Sequence, residues 1–69
     1  MFLLKFRKMK DGKFRFVCKQ NTTFQQLQNE LSEKYNVYRQ RVILIESFKQ
    51  FGKMVFKATV VGELPTDGS

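Results

Sequence analysis

Two short runs, residues 2–9 and 13–19, alternate apolar with basic side chains on either side of Lys10-Asp11-Gly12. This is the pattern of two half-buried β-strands joined by a tight turn. The alternation also fixes register, because a slip of one residue turns every side chain of a strand to the opposite face. Phe2, Leu4 and Phe6 share one face of the first run, and Phe14, Phe16 and Cys18 share one face of the second. Both sets must meet the same core. A two-residue loop at Asp11-Gly12 pairs Phe6 with Val17 and throws the two sets apart. A three-residue loop, Lys10-Asp11-Gly12, pairs Phe6 with Phe16 and Leu4 with Cys18, and Gly12 supplies the left-handed residue that closes such a loop. The three-residue loop is expected.

The same register gathers charge. Residues 1–19 carry seven of the thirteen basic side chains and one acid, Asp11, so most of the net charge of +7 belongs to this hairpin. Lys5, Arg7, Lys13, Arg15 and Lys19 fall on the face opposite the core, with Arg7 directly across from Arg15. Like charges facing each other across a ladder are destabilising. A solvated face of splayed side chains is one reading; a surface kept positive for an anionic partner is the other.

Downstream, Phe24, Leu27, Leu31 and Tyr35 form one stripe at helical spacing, and Thr23 with Gln26 matches a capping box. A helix is expected over 22–36. Residues 41–49 and 54–61 read as a second hairpin turning at Phe51-Gly52. A two-residue loop there pairs Glu46 with Lys57. It puts Ile43 and Ile45 on the core face with Met54, Phe56, Ala58 and Val60. Val42, Leu44, Glu46 and Phe48 then share the outer face with Val55, Lys57, Thr59 and Val61. Residues 62–69, Gly-Glu-Leu-Pro-Thr-Asp-Gly-Ser, read as a flexible C-terminal tail on a single compact domain of residues 1–61.

Hairpin, helix, hairpin makes an α+β fold of order ββαββ. The expected form is β-grasp-like, a four-stranded mixed sheet with one helix packed on one face. Its two terminal strands pair in parallel at the centre. The stretch Lys10-Asp11-Gly12-Lys13-Phe14-Arg15-Phe16-Val17, followed by Thr22-Thr23-Phe24-Gln25-Gln26-Leu27, Leu31, Tyr35 and Val37, resembles a ubiquitin-like domain over residues 2–46. That resemblance implies the fold and a protein-binding role. The tail lacks the terminal Gly-Gly, and the segment that normally separates the last two strands is missing, so conjugation is not implied. Residues 22–61, with Val42-Ile43-Leu44-Ile45 and then Phe48-Lys49-Gln50-Phe51-Gly52-Lys53, are also similar to a small-subunit ribosomal protein family of archaea and eukaryotes. This second resemblance implies contact with ribosomal RNA, although the basic turn is shortened and the family's C-terminal helix is absent.

The residue types argue against chemistry. The chain has no histidine and one cysteine, so a metal site and nucleophile-plus-base catalysis both lack their usual groups. Cys18 falls on the core face, where a thiol is inert. The glycines are isolated, so no loop cradles a phosphate, and the acids do not converge as a pair. No enzyme activity, cofactor or small-molecule substrate is expected. A lone cysteine favours a reducing compartment. Phe2-Leu3-Leu4 is too short for a signal peptide and nothing approaches a membrane span, so a cytoplasmic location, or a nuclear one in a eukaryote, is expected.

What remains is a binding module. The expected interface is Lys5, Arg7, Lys13, Arg15 and Lys19 with Lys57, continued by the apolar Leu44 and Phe48. Nucleic acid is the expected partner, RNA ahead of DNA, with cations on phosphates and an exposed aromatic on a base. The alternative is a ubiquitin-like protein-interaction module that binds an acidic or apolar partner surface, or that forms a homodimer through the apolar half of the sheet. Small phage or plasmid proteins that act on host machinery share this size and charge.

Overall fold

The computed structural model describes residues 1–69. The elements follow the order β1 (Leu3–Lys8), β2 (Phe14–Cys18), α1 (Phe24–Tyr35), a 3₁₀ turn (Arg39–Arg41), β3 (Val42–Gln50), β4 (Lys53–Val60) and β5 (Asp67–Gly68). Every strand pairing is antiparallel, in the order β3-β4-β2-β1-β5.

The first hairpin has the expected register. Phe6 lies opposite Phe16 and Arg7 opposite Arg15. Gly12 closes the loop at a φ of 86°, and Asp11 Oδ1 accepts the Lys13 backbone N–H at 3.0 Å. The first residues of β1 depart from the expectation. The register shifts between Leu3 and Lys5, so Leu3, not Leu4, faces Cys18. Leu3 is buried, while Phe2 and Leu4 are not. At this end of the strand the Glu30 carboxylate on the helix accepts from the N–H groups of both Phe2 and Leu3. Phe2 precedes the strand, so its N–H is free to turn to the same carboxylate as that of Leu3, and the extra residue of the bulge is Leu4.

Helix α1 starts where the capping box places it. Thr23 Oγ1 accepts from the Gln26 N–H, and Gln26 Oε1 accepts from the Thr23 N–H. Asn36, in the left-handed conformation, ends the helix and bonds back to Ser32. Leu27 and Leu31 are fully buried. They pack in a cluster with Leu3, Phe6, Phe14, Phe16, Cys18, Val37, Val42, Phe56 and Ala58. Phe6 lies at the centre of the aromatic contacts, with Phe16 and Tyr35 rings both at 5.6 Å between centroids.

The architecture corrects the expected fold in three respects. The sheet has five strands, not four, and it is antiparallel, not mixed. In addition, β4 joins β2 and does not join β1, so the central parallel pair of a β-grasp is absent. Strand composition supplies a reason. Phe14, Phe16, Val17 and Cys18 are all buried, so β2 is covered on both faces, as a central strand must be. In β1, Lys5, Arg7 and Lys8 are all exposed, and a central position would cost their hydration.

The fifth strand comes from residues expected to form a flexible tail. Asp67 pairs with Arg7 and Gly68 with Phe6, while Lys8 N–H donates to Thr66 C=O at 2.7 Å. Gly68 permits the approach, since a Cβ at that position would overlap the Phe6 ring.

The second hairpin turns through Phe51 and Gly52, both at positive φ (49° and 71°), which makes it the expected two-residue loop. Glu46 faces Lys57 and Phe48 faces Val55, as expected. A second bulge, between Leu44 and Glu46, reverses the faces above it. Val42 and Leu44 lie opposite Val60 and Ala58, on the helix-facing side, and Ile43 lies opposite Thr59, on the outer side. Ile43 and Ile45 were expected in the core but are about half exposed, whereas Val42, expected outside, is 2% exposed.

Candidate nucleic-acid interface

The face of the sheet away from α1 carries a row of charge that crosses all five strands. Its members are Glu46 on β3, Lys57 on β4, Arg15 on β2, Arg7 on β1 and Asp67 on β5, each opposite the next. Three cations therefore sit on adjacent strands, about 4.8 Å apart, with an acid at each end. The antiparallel order creates this row, because β4 and β1 flank β2 and present Lys57 and Arg7 on either side of Arg15.

The neighbouring row is Phe48, Val55, Val17 and Lys5. Val17 and Val55 are buried yet stand apart from the core cluster beneath the helix. Their neighbours on the outer face are Lys5 and Phe48 in the same row and Arg15 and Lys57 in the next, and long cationic side chains can bury apolar surface under their stems while keeping their heads in water. The Arg15 guanidinium donates to Gln50 Oε1 at 3.0 Å, which carries it toward β3 and away from Arg7. That displacement relieves the repulsion expected of two arginines facing each other.

The cations fall into two groups. Asp11 takes up Lys57 at 3.4 Å and Lys13 at 3.9 Å, and these are the molecule's two ion pairs. The Asp11 carboxyl is held below its ordinary range, first by the Lys13 backbone N–H and then, against some loss of hydration, by Lys57. Lys5 and Arg7 make no side-chain hydrogen bond and no ion pair. They line an open groove of about 630 Å³ with Arg15, Val17 and residues 67–69 of the C-terminal segment.

Of the residues expected in the interface, Lys5, Arg7 and Arg15 come together in this groove. Lys57 and Lys13 are not part of its lining and are paired with Asp11. Phe48 lies on the same face and is 40% exposed. Lys19 is exposed beyond the end of β2, outside the groove. Leu44 is turned to the helix-facing side by the bulge at Ile45, so it does not continue the face that Phe48 occupies. Asp67 and Gln50 were missed. Asp67 lay in a segment with no strand pattern, and Gln50 reaches Arg15 only because β4 separates their strands.

The remaining chemistry is sparse. No group of three or more histidine, cysteine, aspartate or glutamate side chains converges on a common point. Burial, with a smaller contribution from the Glu30 carboxylate, pushes the Cys18 thiol up to about 12, so it packs as a neutral side chain. No helix is long and apolar enough to cross a membrane. Neither protein-family models, curated proteins nor solved structures gave a match to this chain.

Proposed function

We propose that this protein is a non-enzymatic nucleic-acid-binding module that takes the phosphate backbone of single-stranded RNA along the outer face of its sheet. The observation that supports this most directly is the pair Lys5 and Arg7, which make no ion pair, placed beside Arg15 in an open groove whose one acid is Asp67, opposite Arg7. Two unpaired cations beside a third are unfavourable in the free protein and are relieved by an anion that spans them. A polyanion fits an open row better than a single small anion does. Phe48, on the adjacent row, offers a flat apolar surface for a base, and base–aromatic stacking contributes about 1–3 kcal/mol per base. The acids at the ends of the charge row, Glu46 and Asp67, favour a track along the neighbouring acid-free row, from Lys5 over Val17 and Val55 to Phe48, about 14 Å across three strand spacings.

Fluorescence anisotropy with a single-stranded RNA oligonucleotide tests the reading. Three phosphates neutralised by Lys5, Arg7 and Arg15 give a slope of log affinity against log salt of about −2. Arg7→Glu combined with Arg15→Glu abolishes binding, and Phe48→Ala weakens it. An affinity indifferent to salt overturns the proposal. So does a variant series in which Phe48→Asp removes binding while Arg7→Glu and Arg15→Glu leave it intact; that result belongs to a protein partner.

A further inference from the structure

The charged face does not account for β3. This strand is the outermost of the sheet, and residues 43–50 are all exposed. Ile43, Leu44, Ile45 and Phe48 are 40–51% exposed, so apolar side chains stand in water on both faces of it. The opposite edge of the sheet differs: β5 and Glu30 occupy the free N–H groups of β1. Nothing occupies the outer edge of β3.

The turn geometry shows which backbone groups are open. In a two-residue hairpin loop the flanking residues, here Gln50 and Lys53, form a hydrogen-bonded pair, and bonded and non-bonded pairs then alternate down the ladder. Gln50, Phe48 and Glu46 bond inward to β4, and Lys49 and Ser47 direct their N–H and C=O groups outward. No loop or side-chain hydrogen bond engages those outward groups. The bulge at Ile45 bends the strand above this point, so the regular open edge is 46–50.

We propose that this edge pairs with the same edge of a second copy, antiparallel about a two-fold axis at Phe48, to make one continuous ten-stranded sheet. The sequence of the edge is self-complementary in this register. Ser47 meets Lys49 of the other copy in a hydrogen-bonded pair on each side of the axis. Phe48 meets its own equivalent in the non-hydrogen-bonded position, where side chains come closest. Glu46 meets Gln50, an acceptor facing an amide donor. Every pair also joins side chains of one face, as strand pairing demands. Moving the axis to Lys49 sets two ammonium groups together, and moving it to Ser47 sets Glu46 against Phe48; both are poorer pairs.

The net +7 of each chain does not exclude a second copy as the occupant, because most of it lies in the first hairpin, away from this edge. Edge pairing at β3 leaves β1 and its equivalent seven strand spacings apart, about 34 Å, several times the Debye length of about 8 Å at physiological salt. The Lys5 and Arg7 charges therefore barely repel their equivalents, and the nearer Lys57, about 14 Å from its own, is paired with Asp11. The pairing does not depend on nucleic-acid binding and is tested without it.

Sedimentation equilibrium from micromolar to millimolar protein shows a monomer–dimer equilibrium. Phe48→Lys, on the solvent face, weakens the dimer about tenfold or more by placing like charges across the axis. Ser47→Pro removes one outward N–H while sparing the β4 ladder, and it abolishes dimerisation. Phe48→Cys gives a disulfide-linked dimer under mild oxidation and Glu46→Cys does not, because only position 48 meets itself; Cys18 is buried and takes no part. A protein that stays monomeric at millimolar concentration overturns the proposal. A dimer that Phe48→Lys leaves unchanged, or that Glu46→Cys cross-links as readily as Phe48→Cys, also overturns it.

Discussion

The two hairpins contrast in what they bury. In the first, β2 is covered on both faces, by the helix on one side and by the stems of long cationic side chains on the other. In the second, β4 continues the core through Phe56 and Ala58 and buries Val55 on the outer face, but β3 has a single buried residue, Val42. The loops differ in the same sense. The first turns on Gly12, which takes a positive φ without strain, and Asp11 anchors it to Lys13. The second places Phe51 at a φ of 49°, a conformation unfavourable for a bulky side chain, and leaves it 90% exposed. One hairpin is built to hold the fold. Half of the other extends from it, and stability does not explain its sequence.

Substitutions can break this contrast, beginning with the largest expected effect. Phe16→Ala removes a fully buried ring from the strand at the centre of the sheet and costs about 3–5 kcal/mol, enough to unfold much of a domain this small. Ile43→Thr on β3 stays within about 0.5 kcal/mol of the parent, as an exposed change should. Urea denaturation reads both, and comparable losses at the two sites would dissolve the distinction. Phe51→Asn stabilises by up to about 1 kcal/mol, because asparagine tolerates the left-handed conformation that the turn imposes. A loss of stability there would mean that the Phe51 ring has packing the structure does not show.

The smallest effect lies in pH. The fold lowers the Asp11 pKa, so its contribution is present above the ordinary aspartate value of 3.8 and is lost as pH falls through the lower folded value. Asp11→Asn narrows the difference in Tm between pH 7 and acid conditions. The same variant releases Lys57 and Lys13 and, if the proposed function holds, strengthens RNA binding at neutral pH. An unchanged acid dependence would show that the first loop is not held by its carboxylate.

The sequence showed most clearly what short-range rules govern. The Phe6–Phe16 register, the Thr23 capping box and the Phe51-Gly52 turn each depend on residues a few positions apart or on one shared face. The two bulges were hidden. Each adds one residue to a strand without a glycine to mark it. The end of β1 beside its bulge is held by Glu30, a residue 27 positions from Leu3, which no local pattern reveals. The strand order was hidden for a related reason: either edge of the first hairpin can accept β4, and the choice is made by which strand can afford to lose water on both faces. The charged face survived these corrections because Lys5, Arg7 and Arg15 lie on the regular side of the bulge. Leu44 did not, because it lies beyond the bulge at Ile45.

Gly68 and the two-residue β5 extend this contrast to assembly. A sheet with two open edges can add copies at both, and such growth has no natural end. Here the β1 edge is occupied over Phe6 and Arg7 by the chain's own C-terminal segment, and above them by the Glu30 carboxylate. Only one edge is left to recruit a neighbour, and once two copies have joined there, none remains. In the proposed pair the short strand would act as a chain terminator, because it covers the edge through which a third copy could add. A bulky residue at position 68 would displace it from the Phe6 ring and remove that limit.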